Sequence, residues 1–223
     1  MSKKRTRTAP VKTDNPALQP GLIIGIVVAA VLIVAGLVLL GNFNQSSAPV
    51  DLTGFPSMGS ASAKVTMVEY SDFGCPHCRD YNLEKFDRLK ADYIDSGKIQ
   101  YVVHPYYLGN PEIAVAAEAA LCANDQNQYF EYEHALFQNQ GQITYDPNSL
   151  TDLAVSLGLD RDTFRQCLSG RKYQGEVENG RQAALKRGVN STPTFFVNNR
   201  RVEGNQPYDV FQQVLNQELS IAQ

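Results

Sequence analysis

The stretch Cys75-Pro76-His77-Cys78 places two cysteines two residues apart, and the residues on either side predict the local fold. The sequence Val-Thr-Met-Val-Glu-Tyr at 65–70 is apolar and rich in β-branched side chains, as is typical of a buried strand. Beyond the motif, apolar residues recur at helical spacing. The cysteine pair is therefore predicted to lie where a strand is followed by a helix, in the first turn of that helix.

A cysteine in the first turn of a helix is close to free backbone N–H groups and to the positive end of the helix dipole, and both favour the thiolate. Two such cysteines suit thiol–disulfide exchange. The alternative is half of a zinc site, which needs about two further ligands. The other cysteines and two of the histidines show no matching short spacing, so no metal is predicted: Cys122, Cys167, His104 and His134.

The composition is that of a folded protein, because 43% of the residues are hydrophobic and 19% are charged. The net charge of −3 is unevenly distributed. Residues 1–20 contain five basic side chains and one acidic one and carry +4, so the rest of the chain carries −7. This negative charge argues against a nucleic-acid partner for the main domain.

Residues 21–40, GLIIGIVVAAVLIVAGLVLL, contain no charged or strongly polar side chain. Twenty helical residues span roughly 30 Å, the thickness of the hydrocarbon core of a bilayer. The basic tail 1–20 precedes this run, and no Lys or Arg follows it before Lys64. The positive-inside rule then predicts a cytoplasmic tail, a single-pass anchor at about 21–42 in the plasma membrane, and an extracytoplasmic remainder. A buried core helix and a cleaved signal peptide are the alternatives, although the apolar core of a signal peptide is usually only about 7–15 residues long.

Residues 43–63 are rich in Ser, Pro, Gly and Ala and are predicted to be a flexible tether. The folded domain is predicted over 64–223. The first strand is followed by an active-site helix at about 77–94, a strand at 99–103 and an all-helical insertion at about 108–172. A further helix, a β-hairpin and a final helix complete the domain. The strand–helix–strand order predicts parallel neighbouring strands.

These features together with Ser191-Thr192-Pro193-Thr194, just before the predicted hairpin, resemble the DsbA family over roughly residues 64–223. The resemblance implies an α/β thioredoxin fold with an all-helical insertion, here preceded by a single transmembrane helix. It also implies a DsbA- or BdbD-like thiol:disulfide oxidoreductase, which the predicted helix at 21–42 would anchor in the membrane.

The resemblance assigns roles within the motif. Cys75 is expected to react with substrate, and Cys78, one turn further into the helix, to be the less exposed resolving thiol. Pro76 and His77 complete the catalytic motif, and His77 is expected to favour the Cys75 thiolate as a nearby cation or hydrogen-bond donor. A low thiol pKa makes Cys75 a good leaving group and makes the oxidised enzyme a strong donor of disulfides.

Two sites outside the motif follow from the same resemblance. Pro193 is expected to be cis and to face the cysteines, with the backbone of Thr192 pairing with substrate as an added strand; an ordinary turn proline is the alternative. The best-known periplasmic oxidases carry Val before this proline, whereas Thr also occurs in isomerases and reductases. Glu69 takes the place of a buried acid that exchanges a proton with Cys78, with a partly exposed strand-end glutamate as the alternative.

With the motif cysteines reserved for the redox reaction, Cys122 and Cys167 are predicted to form a structural disulfide. The closed loop of about 45 residues would contribute roughly 4 kcal/mol in the chain-entropy model. Two buried free thiols are the alternative. His104 and His134 are assigned to structure.

The predicted function is the introduction of disulfides into reduced exported proteins by a monomeric enzyme. The resemblance implies reoxidation by a quinone-linked membrane partner of the DsbB or VKOR type, and no cofactor is expected. A reductase or isomerase of the same fold is the nearest alternative. A non-catalytic peptide-binding module that uses the groove at Thr192 and Pro193 is the other.

Overall fold

The computed structural model describes Leu52 and residues 54–222. The predicted basic tail, the predicted membrane anchor and most of the predicted tether lie outside the described residues. Among the helices that are described, none has both the length and the apolar character needed to cross a membrane.

A five-stranded mixed sheet with the order β1-β3-β2-β4-β5 forms the centre of the domain. Strands β2 and β3 are parallel, as predicted from the strand–helix–strand order, and the other neighbouring pairs are antiparallel. The strands are β1 (Ser57–Gly59), β2 (Thr66–Ser71), β3 (Gln100–Pro105), β4 (Thr194–Val197) and β5 (Arg200–Glu203).

Four helices of the insertion separate β3 from the last part of the fold, and α4 of this insertion packs against α1, the helix that begins at the CPHC motif. The helices are α1 (Pro76–Glu84), α2 (Phe86–Leu89), α3 (Pro111–Asn124), α4 (Tyr129–Gln138), α5 (Pro147–Ser156), α6 (Arg161–Ser169), α7 (Gln174–Lys186) and α8 (Tyr208–Ile221).

The prediction of one continuous helix over 77–94 is wrong. Helix α1 ends before Lys85, whose φ of −123° departs from helical geometry, and a π-helical turn, Lys90–Ile94, follows α2. The break and the wider turn change the helical phase. As a result four large apolar side chains of this segment are buried in the core: Phe86, Leu89, Tyr93 and Ile94.

Strand β1 lies within the segment predicted to be a flexible tether. It pairs antiparallel with β3, and the N–H of Val103 donates to the carbonyl of Pro56 at 2.9 Å. The Phe55 ring packs on His104 with 4.4 Å between the ring centroids. A three-residue edge strand is too short to produce a clear alternating pattern, and its partner comes from a distant part of the chain. The folded domain therefore begins before Lys64.

The two faces of the sheet contact different cores. Met67 and Glu69 of β2 point toward the large core beneath the helical insertion, whereas Val68 and Tyr70 point toward a smaller cluster on the opposite face. Within the insertion, α3 and α6 are joined by a disulfide between Cys122 and Cys167, whose Cα atoms are 5.8 Å apart.

Candidate active site

Cys75 is the N-cap residue of α1, with extended backbone angles (φ −85°, ψ 119°), and Pro76 is the first helical residue. Proline is well suited to this position because the first N–H of a helix has no intrahelical acceptor. The N–H of Cys75 donates to the carbonyl of Asp72 at 2.9 Å, which closes the turn between β2 and α1. Cys75 is half-buried and Cys78, one turn later, is fully buried.

The surroundings of Cys75 favour its thiolate. A hydrogen bond from the Cys78 thiol is the largest influence that lowers the pKa of Cys75, which reaches about 5 against the opposing effect of burial. The backbone N–H groups of Cys78 and His77 act in the same direction. These N–H groups are free because they belong to the first turn of α1.

Cys78 has the opposite character. Burial raises the pKa of the Cys78 thiol well above its usual value, and the negative charge of the nearby Cys75 adds to the effect. A backbone hydrogen bond from Asp72 opposes it. At neutral pH the arrangement therefore holds one thiolate, at the half-buried sulfur of Cys75, and one proton, at the buried sulfur of Cys78.

The structure brings Thr192 and Pro193 to this pair. The peptide bond between them is cis, and the Cys75 thiol lies 3.3 Å from the carbonyl oxygen of Thr192. The N–H of Gly204, at the end of the β4–β5 hairpin, donates to the carbonyl of Pro193 at 2.8 Å and holds the loop in place. The N–H of Thr192 has no hydrogen-bond partner among residues 54–222, so it remains available to an extended peptide.

The imidazole of His77 is exposed and makes no hydrogen bond or ion pair within the described part of the chain. The backbone N–H of His77, by contrast, helps to lower the pKa of Cys75. The predicted contribution of the imidazole stays a prediction.

Glu69 lies on the core face of β2 and is buried rather than partly exposed. The hydroxyl of Tyr101 donates to its Oε2 atom. Burial raises the pKa of Glu69 to about 7 although this hydrogen bond opposes the shift. Its charge also raises the pKa of Cys78, so the carboxyl lies within electrostatic reach of the buried thiol.

A second buried carboxyl, Glu133 of α4, was not singled out from the sequence. Its Oε1 atom has no hydrogen-bond partner in the described structure, and Tyr129 hydrogen-bonds to the carboxyl. Burial and the charge of Glu69 raise the pKa of Glu133 well above its usual value. No ion pair among residues 54–222 includes Glu69 or Glu133. Two carboxyls without a cation in an apolar core do not both ionise readily.

The two histidines assigned to structure have local partners. His134 forms hydrogen bonds with Asn82 at 2.9 Å and with Gln138 at 3.0 Å. His104 lies on the other side of the sheet, stacked on Tyr70 with 4.6 Å between the ring centroids. Neither histidine is part of a group that could hold a metal ion, and no such group of three or more His, Cys, Asp or Glu side chains occurs in the described residues.

Further contacts that the sequence did not predict hold the loop before α1. Asp72 accepts hydrogen bonds from the N–H groups of Gly74 and Leu108, both at 2.7 Å, and so connects this loop to the one after β3. From the helical insertion, Gln140 and Tyr145 donate to carbonyl groups of the loop. All but one of these contacts join residues at least 36 positions apart, so no short motif could have revealed them.

Comparison with known proteins identifies the fold. A family model described as Thioredoxin matches residues 53–217. Disulfide bond formation protein D of Bacillus subtilis is 27% identical over 185 residues, which cover 80% of this chain and 83% of that protein. Two other relatives are longer proteins, Na(+)/H(+) antiporter NhaA 3 of Salinispora tropica and Na(+)/H(+) antiporter NhaA 1 of Salinispora arenicola. The chain spans 24% of the length of each.

Solved structures agree with this match. Oxidised BdbD of Bacillus subtilis has a TM-score of 0.68 and 25% identity, covering 76% of this chain and 95% of that one. The alpha-DsbA1 protein of Wolbachia pipientis has a TM-score of 0.70 and 25% identity, covering 80% of this chain and 96% of that one. The chain belongs to the thioredoxin family, and within it is a thiol:disulfide oxidoreductase of the DsbA and BdbD type.

Proposed function

We propose that this oxidoreductase is a membrane-tethered, extracytoplasmic oxidase that introduces disulfides into exported proteins through Cys75 and Cys78. The supporting observation is the contrast between the two sulfurs. The half-buried Cys75 has a pKa lowered to about 5, whereas burial raises the pKa of Cys78. The resulting thiolate stabilises the reduced form of the enzyme, so the oxidised form is a strong electron acceptor.

The reaction proceeds in two exchanges. A substrate thiolate attacks the sulfur of Cys75, the Cys75–Cys78 bond breaks, and the electron pair goes to the sulfur of Cys78. Cys78 takes up a proton, for which Glu69 is the nearby donor. A second substrate thiolate then attacks the substrate sulfur of the mixed disulfide and releases Cys75 as a thiolate. Two electrons have moved from the substrate to the enzyme, and the substrate carries the new disulfide.

Thr192 and Pro193 hold the substrate during these exchanges. The carbonyl oxygen of Thr192 lies 3.3 Å from the Cys75 sulfur, and the N–H of Thr192, which has no partner among residues 54–222, supports pairing with an extended peptide. Affinity then comes from main-chain hydrogen bonds, which suits an enzyme that accepts many unfolded sequences.

Replacing Cys78 with Ser tests these roles. The Cys75 thiolate of this variant can attack a disulfide of an oxidised substrate protein, and the other substrate sulfur then leaves as a thiolate. The resulting mixed disulfide should accumulate, because no Cys78 thiol is present to release it. Replacing Cys75 with Ala should abolish both the mixed disulfides and substrate oxidation. Unchanged cellular function of the Cys75→Ala protein would contradict the proposal and favour a module that only binds peptides.

A reductase or isomerase of the same fold is the second candidate, and Thr192 before the cis proline is the feature that supports it. The reduction potential of the Cys75–Cys78 pair distinguishes the two. A value near −270 mV, about that of thioredoxin, indicates a reductase, and one well above about −200 mV indicates an oxidase.

The location rests on the sequence of residues 21–40 and the basic tail before it. We expect the anchor to keep the catalytic domain at the outer face of the plasma membrane, where a quinone-linked partner of the DsbB or VKOR type reoxidises the monomeric enzyme. Alkaline carbonate washing should leave the full-length protein in the membrane fraction. Release of the full-length chain would contradict the anchor, and a shortened chain beginning after position 48 or 63 would indicate a cleaved signal peptide.

A further inference from the structure

One side chain of the helical insertion contacts the backbone of the reactive cysteine. Gln140 lies in the connection between α4 and α5, and its Nε2 atom donates to two carbonyl oxygens, that of Phe73 at 2.7 Å and that of Cys75 at 3.1 Å. The hydroxyl of Tyr145, from the same connection, donates to the Phe73 carbonyl at 2.9 Å. Gln140 is 65 residues from Cys75 in the sequence.

These carbonyl groups lie on either side of the Cys75 Cα along the chain. The Phe73 carbonyl lies in the turn that leads from β2 to α1, and the Cys75 carbonyl belongs to the N-cap residue itself. The Cys75 carbonyl also accepts the N–H of Arg79 at 3.2 Å, as expected in the first turn of the helix. The amide of Gln140 therefore joins the turn and the N-cap in a single bridge.

The orientation of the N-cap residue determines how well the helix can stabilise the thiolate. Hydrogen bonds weaken steeply as their angle departs from linearity, and the N–H groups of His77 and Cys78 act on the Cys75 sulfur. A loop that is free to rotate about residues 73–75 would sample positions in which these N–H groups no longer point at the sulfur. Pro76 offers no N–H of its own with which to hold the turn.

We propose that Gln140 is a positioning residue for Cys75, through which the helical insertion holds the reactive sulfur against the N-terminus of α1. The inference rests on the proposed function in taking Cys75 as the reactive thiol. It assigns to the insertion a part in setting thiol reactivity, in addition to its packing on the thioredoxin core.

The test is Gln140→Ala, with the rate of Cys75 alkylation by iodoacetamide measured as a function of pH on the reduced protein. We expect the alkylation rate at mildly acidic pH to fall by about three- to tenfold, because the thiolate fraction falls tenfold for each unit that the pKa rises. The equilibrium constant for reduction by glutathione should shift by a similar factor toward the oxidised enzyme.

Two control variants separate positioning from general stability. Gln142→Ala removes an exposed side chain from the same connection and should leave the alkylation profile unchanged. Tyr145→Phe removes one bond to Phe73 but leaves the bridge to Cys75, so its effect should be under about twofold. Gln140→Asn keeps an amide that is too short to reach both carbonyls and should behave like Gln140→Ala, while disturbing the surroundings less.

The proposal is overturned if Gln140→Ala and Gln140→Asn fold and alkylate with the wild-type pH profile, whatever their stability. If Gln140→Ala does not fold, the pH profile of alkylation of Gln140→Asn alone supports or overturns the proposal. Alkylation requires no protein substrate. A shifted profile in a protein that fails to oxidise substrates would therefore support the role of Gln140 while contradicting the proposed function.

Discussion

The sulfur of Cys75 lies 3.3 Å from the main-chain carbonyl oxygen of Thr192. The contact joins the N-cap of α1 to the cis-proline loop before β4, 117 residues away in the sequence. Because Cys75 is only half-buried, a substrate that reaches its sulfur also meets the backbone of Thr192. Reactivity and peptide binding thus depend on the same few atoms.

The pKa of Cys75 depends most on its partner cysteine, which Cys78→Ala should reveal. In the wild-type protein, alkylation of Cys75 should rise through about pH 5 and level off toward neutral pH, because the thiolate forms as the pH rises. Removing the Cys78 thiol removes the largest influence that lowers this pKa, so the midpoint should move up by about one unit or more. Cys78→Ser keeps a hydroxyl donor and should shift it less. Equal midpoints in all three proteins would contradict the role of the Cys78 hydrogen bond.

Glu69 should make the stability of the reduced protein fall between mildly acidic and neutral pH. Its pKa is raised from 4.5 to about 7 by burial, so the folded state binds the proton more tightly than the unfolded state. This stabilisation is fully present below about pH 4.5 and is lost as the pH rises through about 7, a change on the order of 3 kcal/mol. Urea unfolding at several pH values should show a smaller decline for Glu69→Gln. An equal decline in both proteins would indicate that Glu69 is ionised well below pH 7.

The Glu133 carboxyl should ionise at a lower pH when residue 69 carries no charge. The charge of Glu69 is one cause of the raised pKa of Glu133, so Glu69→Gln should lower the pKa of Glu133. Carbon-13 NMR of labelled glutamate side chains measures this directly. Glu131→Gln makes the same substitution at an exposed position of the same helix and serves as the control. A Glu133 carboxylate that is already ionised at neutral pH in the wild-type protein would contradict the interpretation.

The Cys122–Cys167 disulfide should contribute stability without affecting thiol reactivity. Its sequence separation is 45 residues, for which the chain-entropy model gives about 4 kcal/mol. The double variant Cys122→Ala, Cys167→Ala should unfold at a lower denaturant concentration, and its free energy of unfolding should be smaller by about this amount. The pH midpoint for alkylation of Cys75 should stay near 5. A shifted midpoint would show that the insertion disulfide also influences the active site.

Local sequence patterns were sufficient for most of the secondary structure. The apolar run at 65–70 and the residues after Cys78 predicted β2 and a helix at the CPHC motif, because strand and helix periodicity are local properties. The phase change at Lys85 and the three-residue strand β1 were missed, since packing against distant residues decides both. A short edge strand becomes a strand only when its partner is present.

The active site, too, could be predicted from the sequence only in part. By itself, the sequence determined that two cysteines lie in the first turn of a helix, where backbone N–H groups favour a thiolate. Only the tertiary structure decided which groups surround them. The carbonyl of Thr192, the amide of Gln140 and the buried carboxyls of Glu69 and Glu133 come from separate elements. Their effects depend on distance and burial, and sequence spacing cannot specify either for residues that meet only when the chain folds.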